Sequence, residues 1–382
     1  MGHVRHLYVH LPFCAHRCGY CDFVTVVGRR EAHTDYVSAL LAELELERPV
    51  LAARLDTVFL GGGTPTFTAI AELARLLEGL PAAQEVTVEA NPETVTPELA
   101  GTLLAAGVTR VSLGAQSFQP HLLAVLERQA DADAVRRAFY HFRDANLDNI
   151  SLDLIYGIPG QIAADLRLDL DQAIALGPDH LSWYELEAKP GTRFTHRWGD
   201  ELLHQEEAME SYLECVVETL EAAGYRWYET ANFCRDGKRA RHNVAYWEGR
   251  DYLGLGIGAV STVSGLRWRN NRQLRSYVAA LAAGRRPGRD LEHLEASVRR
   301  RERLMLGLRL DRPVMRDEVR DAIDVFAAER LQRLGLAELT EDTIVLTRRG
   351  RFVGGGVTAE LLADADAAVA SAPGDPAEVL QV

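Results

Sequence analysis

The chain has 382 residues, 47% of them hydrophobic and 25% charged, with a formal net charge of −13. That length can bury a large domain and a smaller one, while the acidic balance excludes a broad nucleic-acid-binding surface. No run of about 18 apolar residues could span a membrane, and "MGHVRHLYVHLPFC" holds no long apolar stretch of the signal-peptide kind. With five cysteines and no export signal, the expected compartment is a reducing cytosol. There a cysteine cluster binds metal or catalyses rather than forming disulfides.

In chain order, short β-branched or aromatic runs alternate with helical patterns. The predicted strands are "HLYVHL" (6–11), "DTVFLG" (56–61), "EVTVEA" (85–90), "TRVSLGA" (109–115), "ISLDLIYG" (150–157) and "HLSWYEL" (180–186). Helical periodicity falls between them, as in "HTDYVSALLAELELE" (33–47) and "DADAVRRAFYHFRDAN" (131–146). Six βα units in succession predict a parallel sheet with right-handed crossovers, either doubly wound or an incomplete barrel. No G-x-G-x-x-G follows the first strand, so a dinucleotide fold is disfavoured.

From residue 204 the pattern changes. A long helix, "EEAMESYLECVVETLEAAG", precedes a strand-like "YRWYETANF" and a loop rich in glycine and aromatics, "HNVAYWEGRDYLGLGIGAVS". Residues 265–303 are strongly basic and read as a connection. Residues 300–362 read as three short helices and a two-stranded ribbon turning at Glu341-Asp342, a winged-helix-like pattern expected to serve as a packing domain. The tail "DADAAVASAPGDPAEVLQV" is small and polar and is expected to be disordered.

Ligands of parallel βα sheets sit at the carboxyl ends of the strands, and each predicted strand ends in something unusual. The first runs into Cys14, Cys18 and Cys21, spaced C-x3-C-x2-C. The second ends in "GGGTP" (61–65), the third in "EANP" with Glu89, the fourth in "GAQSF" with Gln116, and the fifth carries Asp153. A zinc site would need His10 or His16 as fourth ligand, and no second C-x2-C pair exists. Three thiolates on a four-iron cluster leave one iron open to a small molecule.

The cysteine spacing resembles the signature of the radical S-adenosylmethionine superfamily. The resemblance implies a [4Fe–4S] cluster on Cys14, Cys18 and Cys21, with S-adenosylmethionine chelated to the open iron and cleaved to a 5′-deoxyadenosyl radical. The implied fold is α/β, an incomplete (β/α)6 TIM-like barrel followed by an α+β extension and the winged-helix-like domain. The expected boundaries are 1–200 for the barrel, 201–295 for the extension, 296–364 for the C-terminal domain and 365–382 for the tail. Tyr8, Tyr20, Gly62, Gly63, Thr64, Glu89, Gln116, Arg128 and Asp153 would contact S-adenosylmethionine. The glycines would let the backbone approach the methionine amino group, and Arg128 in "VLERQA" could grip a carboxylate bidentately or be a surface helix charge.

Together with "FLGGGTPT", "VEANPE", "RVSLGAQSF", "LDLIYGIPGQ", "RHNVAYW" and "DYLGLGIGA", the cysteine segment is similar to the oxygen-independent coproporphyrinogen III oxidase group, and within it most similar to HemW-type haem chaperones. The porphyrinogen dehydrogenases carry a fourth cysteine where this chain has Phe23. The string "HNVAY" (242–246) is associated with haem in the chaperones. Imidazole is a common axial haem ligand, so His242 is a candidate ligand and Tyr246 its neighbour; the competing reading is that His242 orders its loop by hydrogen bonds. The chain departs from the chaperone pattern L-G-R-x-H at Leu126-Glu127-Arg128-Gln129-Ala130. Cys215 is expected to be a buried apolar residue and Cys234 to be inert.

The resemblance implies delivery of haem to respiratory haem proteins, membrane-bound ones among them, an electron donor for the cluster, no nucleic acid, and a capacity to dimerise. Alternatives are oxidative decarboxylation of coproporphyrinogen III and a related radical methyltransferase, so whether the protein is an enzyme stays open at this point.

Overall fold

The computed structural model describes residues 3–189 and 192–363, and the tail from residue 365 lies outside them. The described chain forms two compact units. One comprises residues up to Tyr246 together with Arg250–His293; the other comprises Trp247–Gly249 and the residues from Leu294.

In the first unit, β1 (His6–Leu11) leads into β2 (Phe13–Cys14), which pairs in parallel with β3 (Val26–Val27). There follow β4 (Leu55–Gly62), β5 (Ala83–Ala90), β6 (Arg110–Gln116), β7 (Ile150–Tyr156) and β8 (His180–Glu185). Helices α1 (His33–Glu47), α2 (Ile70–Gly79), α3 (Pro97–Ala105), α4 (Pro120–Val125), α5 (Ala132–Asp144) and α6 (Ala163–Leu176) fall between these strands. The six strands pair in chain order, each parallel to the next. A doubly wound sheet reverses its order at a switch point; this one does not, which is the winding of a barrel.

The strands show why the site lies inside. Leu7, Val9 and Leu11 of β1 are fully buried. Strand alternation turns His6, Tyr8 and His10 to the other face, where registered neighbours on β4 are Thr57, Phe59 and Gly61. Glu89, Ser112 and Asp153 share that face, which is polar and aromatic rather than aliphatic.

Residues 201–293 extend the same sheet instead of forming a separate body. The long helix expected at 206–224 forms as α8 (Met209–Ala222), and a further helix, α7 (Arg193–Glu206), precedes it. The strand-like 225–233 is an antiparallel pair, β9 (Arg226–Glu229) and β10 (Asn232–Cys234). Its turn is held by the Glu229 carboxylate, which accepts from the Ala231 amide (3.0 Å) and the Asn232 side chain (2.5 Å). The expected loop at 242–261 is instead α9 (Arg241–Trp247), β11 (Tyr252–Leu255) and β12 (Val260–Val263). The basic connection is largely ordered as β13 (Leu266–Asn270), α10 (Leu274–Ala282) and β14 (Arg289–His293).

The sheet runs β14-β13-β12-β11-β1-β4-β5-β6-β7-β8-β10-β9, with β11 parallel to β1. The arginines that obscured β13 and β14 in the sequence are matched by carboxylates of α1. Arg289 lies over the Trp268 ring at 4.9 Å and donates to Glu47 (2.8 Å). Fully buried Glu43 accepts from Tyr277 (2.6 Å), Asn270 (2.7 Å) and the Gly256 amide (2.9 Å). Cys234 is buried as an inert thiol would be, whereas Cys215 is only half-buried.

The second unit contains α11 (Ala296–Gly307), β15 (Val314–Met315), α12 (Arg316–Val319), α13 (Val325–Arg333), β16 (Ala337–Leu339), β17 (Thr343–Leu346), α14 (Arg348–Phe352) and α15 (Gly354–Leu361). Its antiparallel sheet, β15-β17-β16, covers a core that includes Leu304, Val319, Ile344 and Leu361. No described helix is long and apolar enough to cross a membrane.

Candidate cofactor site at the strand tips

The cysteines leave β1 on a loop tied down at both ends. The Val26 amide donates to the Pro12 carbonyl (2.8 Å) and the Gly28 amide to that of Cys14 (2.8 Å). A turn closes Cys21 onto Cys18 (3.2 Å). Cys14 is buried, and burial pushes its thiol up to about 11.

Both histidines that could complete a zinc site are engaged. His10 Nε2 lies 2.8 Å from the Val24 carbonyl, which requires a proton on that nitrogen, and Nδ1 then accepts from the Tyr8 hydroxyl (3.0 Å). His16 Nε2 lies 2.9 Å from the Glu127 carbonyl and also donates. His10 therefore has no open nitrogen for a metal, while His16 keeps only Nδ1. Among the described residues no three His, Cys, Asp or Glu side chains are gathered as a single-ion site. Three cysteines spread over one loop suit a cluster, which distributes its thiolates over several irons.

The glycine run meets β1 rather than open space. Gly62 has φ 115°, and a Cβ there would lie 2.5 Å from the His10 ring; a Cβ on Gly63 would lie 2.5 Å from the Pro12 carbonyl oxygen and 3.0 Å from Cys14 Sγ. These positions let the second strand tip press against the cysteine loop. The Gly62 amide points inward and donates to Glu89 (3.1 Å).

Burial, reinforced by nearby Asp153, pushes the Glu89 carboxyl up to about 8. Asp153 is raised by burial and accepts from Ser112 (2.8 Å) and Ser151 (3.2 Å). Gln116 ends β6 at a register shift with φ 64°, a left-handed conformation uncommon for a residue with a Cβ and typical of ligand clamps. Tyr8 stacks on Phe59 inside the sheet, and Tyr20 packs edge-on to Phe194.

Arg128 is not a surface helix charge. It follows α4 and is half-buried; Nη2 donates to Asn91 Oδ1 and to the Gly114 carbonyl (both 2.9 Å), and Nη1 points at Cys18 Sγ (3.7 Å). Its Nε is buried without a partner, as is the hydroxyl of Thr87. An orphaned guanidinium N–H beside the cysteine loop fits a ligand carboxylate. The structure places Tyr8, Glu89 and Asp153 on the inner face, Gly62, Gly63, Thr64 and Gln116 at strand tips, Arg128 against Cys18 and Tyr20 on the cysteine segment. It adds Asn91, Ser112 and Ser151. Their only signal in the sequence was position: Asn91 stands in the strand-tip string "EANP", and the two serines precede or alternate with inward residues.

His242 does not join that group. Its ring is fully buried and stacks on Phe59 (centroids 5.1 Å apart). Nδ1 lies 2.7 Å from Thr57 Oγ1 and Nε2 lies 3.0 Å from the Tyr246 hydroxyl. The Glu85 carboxylate accepts from the amides of Arg241 and His242 (both 3.1 Å). As folded, both ring nitrogens of His242 are engaged by hydroxyls, and an axial haem ligand there would have to displace Thr57 or Tyr246. The hydrogen-bonding alternative describes it, with α9 in place of a loop.

An open, sequentially wound parallel sheet with three cysteines on the loop after its first strand defines a radical S-adenosylmethionine barrel. Residues 8–173 match the family model for the radical SAM superfamily. The fold is similar to that of coproporphyrinogen III oxidase (HemN) from Escherichia coli, a radical SAM enzyme, with TM-score 0.78 and 22% identity over 94% of this chain and 90% of that one. The chain is 37% identical to heme chaperone HemW of Mycobacterium tuberculosis, over 93% of this chain and 94% of the relative. It is 32% identical to that of Bacillus subtilis, over 94% and 100%. It belongs to the HemW family of haem chaperones within that superfamily.

Proposed function

We propose that this protein is a haem chaperone that carries a [4Fe–4S] cluster and S-adenosylmethionine and passes haem to haem proteins. The observation that carries the reading is the similarity to HemW chaperones along nearly the whole chain. Cys14, Cys18 and Cys21 would hold the cluster, which when bound would chelate S-adenosylmethionine and supply it with an electron. Around it, Arg128 directs its free Nε–H to the ligand carboxylate. Glu89 and Asp153 accept from hydroxyl or ammonium groups. Gly62, Gly63 and Thr64 present backbone, and Tyr8, Tyr20 and Gln116 line the cradle.

No haem step is routed through His242 or Tyr246; in this reading they close the inner face from α9. The C-terminal unit is a winged-helix-like packing domain. The acceptors are respiratory haem proteins, some in a membrane that this protein reaches through them from the cytoplasm. An electron donor would reduce the cluster, and the chain has the capacity to form a homodimer.

The test is a Soret titration of anaerobically reconstituted protein, with coproporphyrinogen III and S-adenosylmethionine in a parallel vessel. Stoichiometric haem binding with the porphyrinogen unconverted is expected. Formation of a vinyl product without haem binding would overturn the reading in favour of a decarboxylating enzyme.

A further inference from the structure

Asn91 stands at the centre of a hydrogen-bond circuit that joins two of the three cysteines. Its carbonyl oxygen accepts from Arg128 Nη2 (2.9 Å), and Arg128 Nη1 points at Cys18 Sγ (3.7 Å). Its amide nitrogen lies 2.9 Å from Thr64 Oγ1, which lies 3.5 Å from Cys14 Sγ. Arginine can only donate, so the oxygen of Asn91 must face it and the NH2 must face Thr64. The Thr64 oxygen is then already an acceptor, and its own proton is free for the Cys14 sulfur.

One side-chain amide thereby sets the direction of two donors, a guanidinium N–H on Cys18 and a hydroxyl on Cys14. Donors to a thiolate sulfur stabilise the more negative, reduced state of the metal group it ligates, and raise its potential. We propose that Asn91 is a positioning residue that tunes the reduction potential of the group bound by Cys14, Cys18 and Cys21, acting through Thr64 and Arg128. This rests on the reading of those cysteines as cluster ligands.

The experiment is a potentiometric titration of the reconstituted full-length protein, followed by the electron paramagnetic resonance of the reduced cluster, without S-adenosylmethionine. The variants are Asn91→Leu, Thr64→Val, Thr64→Ser and the double variant Asn91→Leu/Thr64→Val, with iron content measured for each. Asn91→Leu and Thr64→Val are expected to lower the reduced-to-oxidised ratio at fixed poise about tenfold, equivalent to about 59 mV for one electron. Thr64→Ser, which keeps the hydroxyl, stays with the parent. The double variant shifts by less than the sum of the two singles, because the Thr64 donor is common to both.

A loaded Asn91→Leu or Thr64→Val with the parent potential would overturn the proposal. If Asn91→Leu fails to load, the contrast between Thr64→Val and Thr64→Ser decides alone: a shift in Val absent from Ser supports the circuit, and equal potentials sink it. Parent protein without iron–sulfur content would instead overturn the cluster reading itself.

Discussion

Thr57 Oγ1 lies 2.7 Å from Nδ1 of His242, across 185 residues of chain, and ties α9 to the second strand of the barrel. The same hydroxyl lies 2.9 Å from His6 Nδ1. It can donate to one imidazole while accepting from the other, so a single threonine satisfies both. Tyr246 closes the far side of the His242 ring.

His242→Ala is therefore expected to act on stability. It leaves Thr57 and Tyr246 short of a partner and opens a cavity against Phe59, costing roughly 2–4 kcal/mol. Urea denaturation of the unliganded protein measures this, and a Soret titration of the folded fraction should match the parent. Lost haem binding with an unchanged unfolding midpoint would restore His242 as a ligand.

The pH dependence follows from buried imidazoles. Burial holds His242 down at about 3 and His180 well below the usual 6.5. In the unfolded chain both take up protons near pH 6.5, so below that pH the unfolded state binds more protons and stability is lost as pH falls towards 3. His242→Gln should flatten this acid limb in denaturation midpoints measured from pH 7 to 4. Glu89 has the opposite sign: its carboxyl is raised from 4.5 to about 8, so its contribution is present at low pH and lost as pH rises through that window. Glu89→Gln should remove that decline; an unchanged profile would show Glu89 ionised throughout.

Gly63→Ala puts a methyl 2.5 Å from a backbone oxygen that cannot swing away. The strand tip and the cysteine loop must separate, at a cost of about 1–3 kcal/mol. Iron content after reconstitution should fall in step with the unfolding midpoint. Full loading at parent stability would mean that the loop has slack not evident in its hydrogen bonding.

Arg128→Lys keeps the charge but loses the fork that reaches Asn91, Gly114 and a ligand at once. Its affinity for S-adenosylmethionine, by calorimetry on cluster-loaded protein, should drop at least about tenfold, or 1.4 kcal/mol. Parent affinity would remove Arg128 from the cradle.

What the sequence determined by itself was the set of local periodicities and the chemistry of a few residue types. Alternation in "HLYVHL" and helical spacing over 33–47 located β1 and α1, and C-x3-C-x2-C named three thiolates on one loop. Both signals are short-range: strand and helix periods need only neighbouring residues, and a loop brings its own cysteines together. Tertiary structure alone decided whether the strands wound in order or doubled back, since that depends on which edges meet. It decided that the arginine-rich 265–293 forms strands, because its counter-charges Glu43 and Glu47 sit over 200 residues away on α1. It also put His242 in a closed cage and Asn91 between two cysteines. A side chain's hydrogen-bond partners come from distant strands, and no local pattern encodes which face of the barrel they will share.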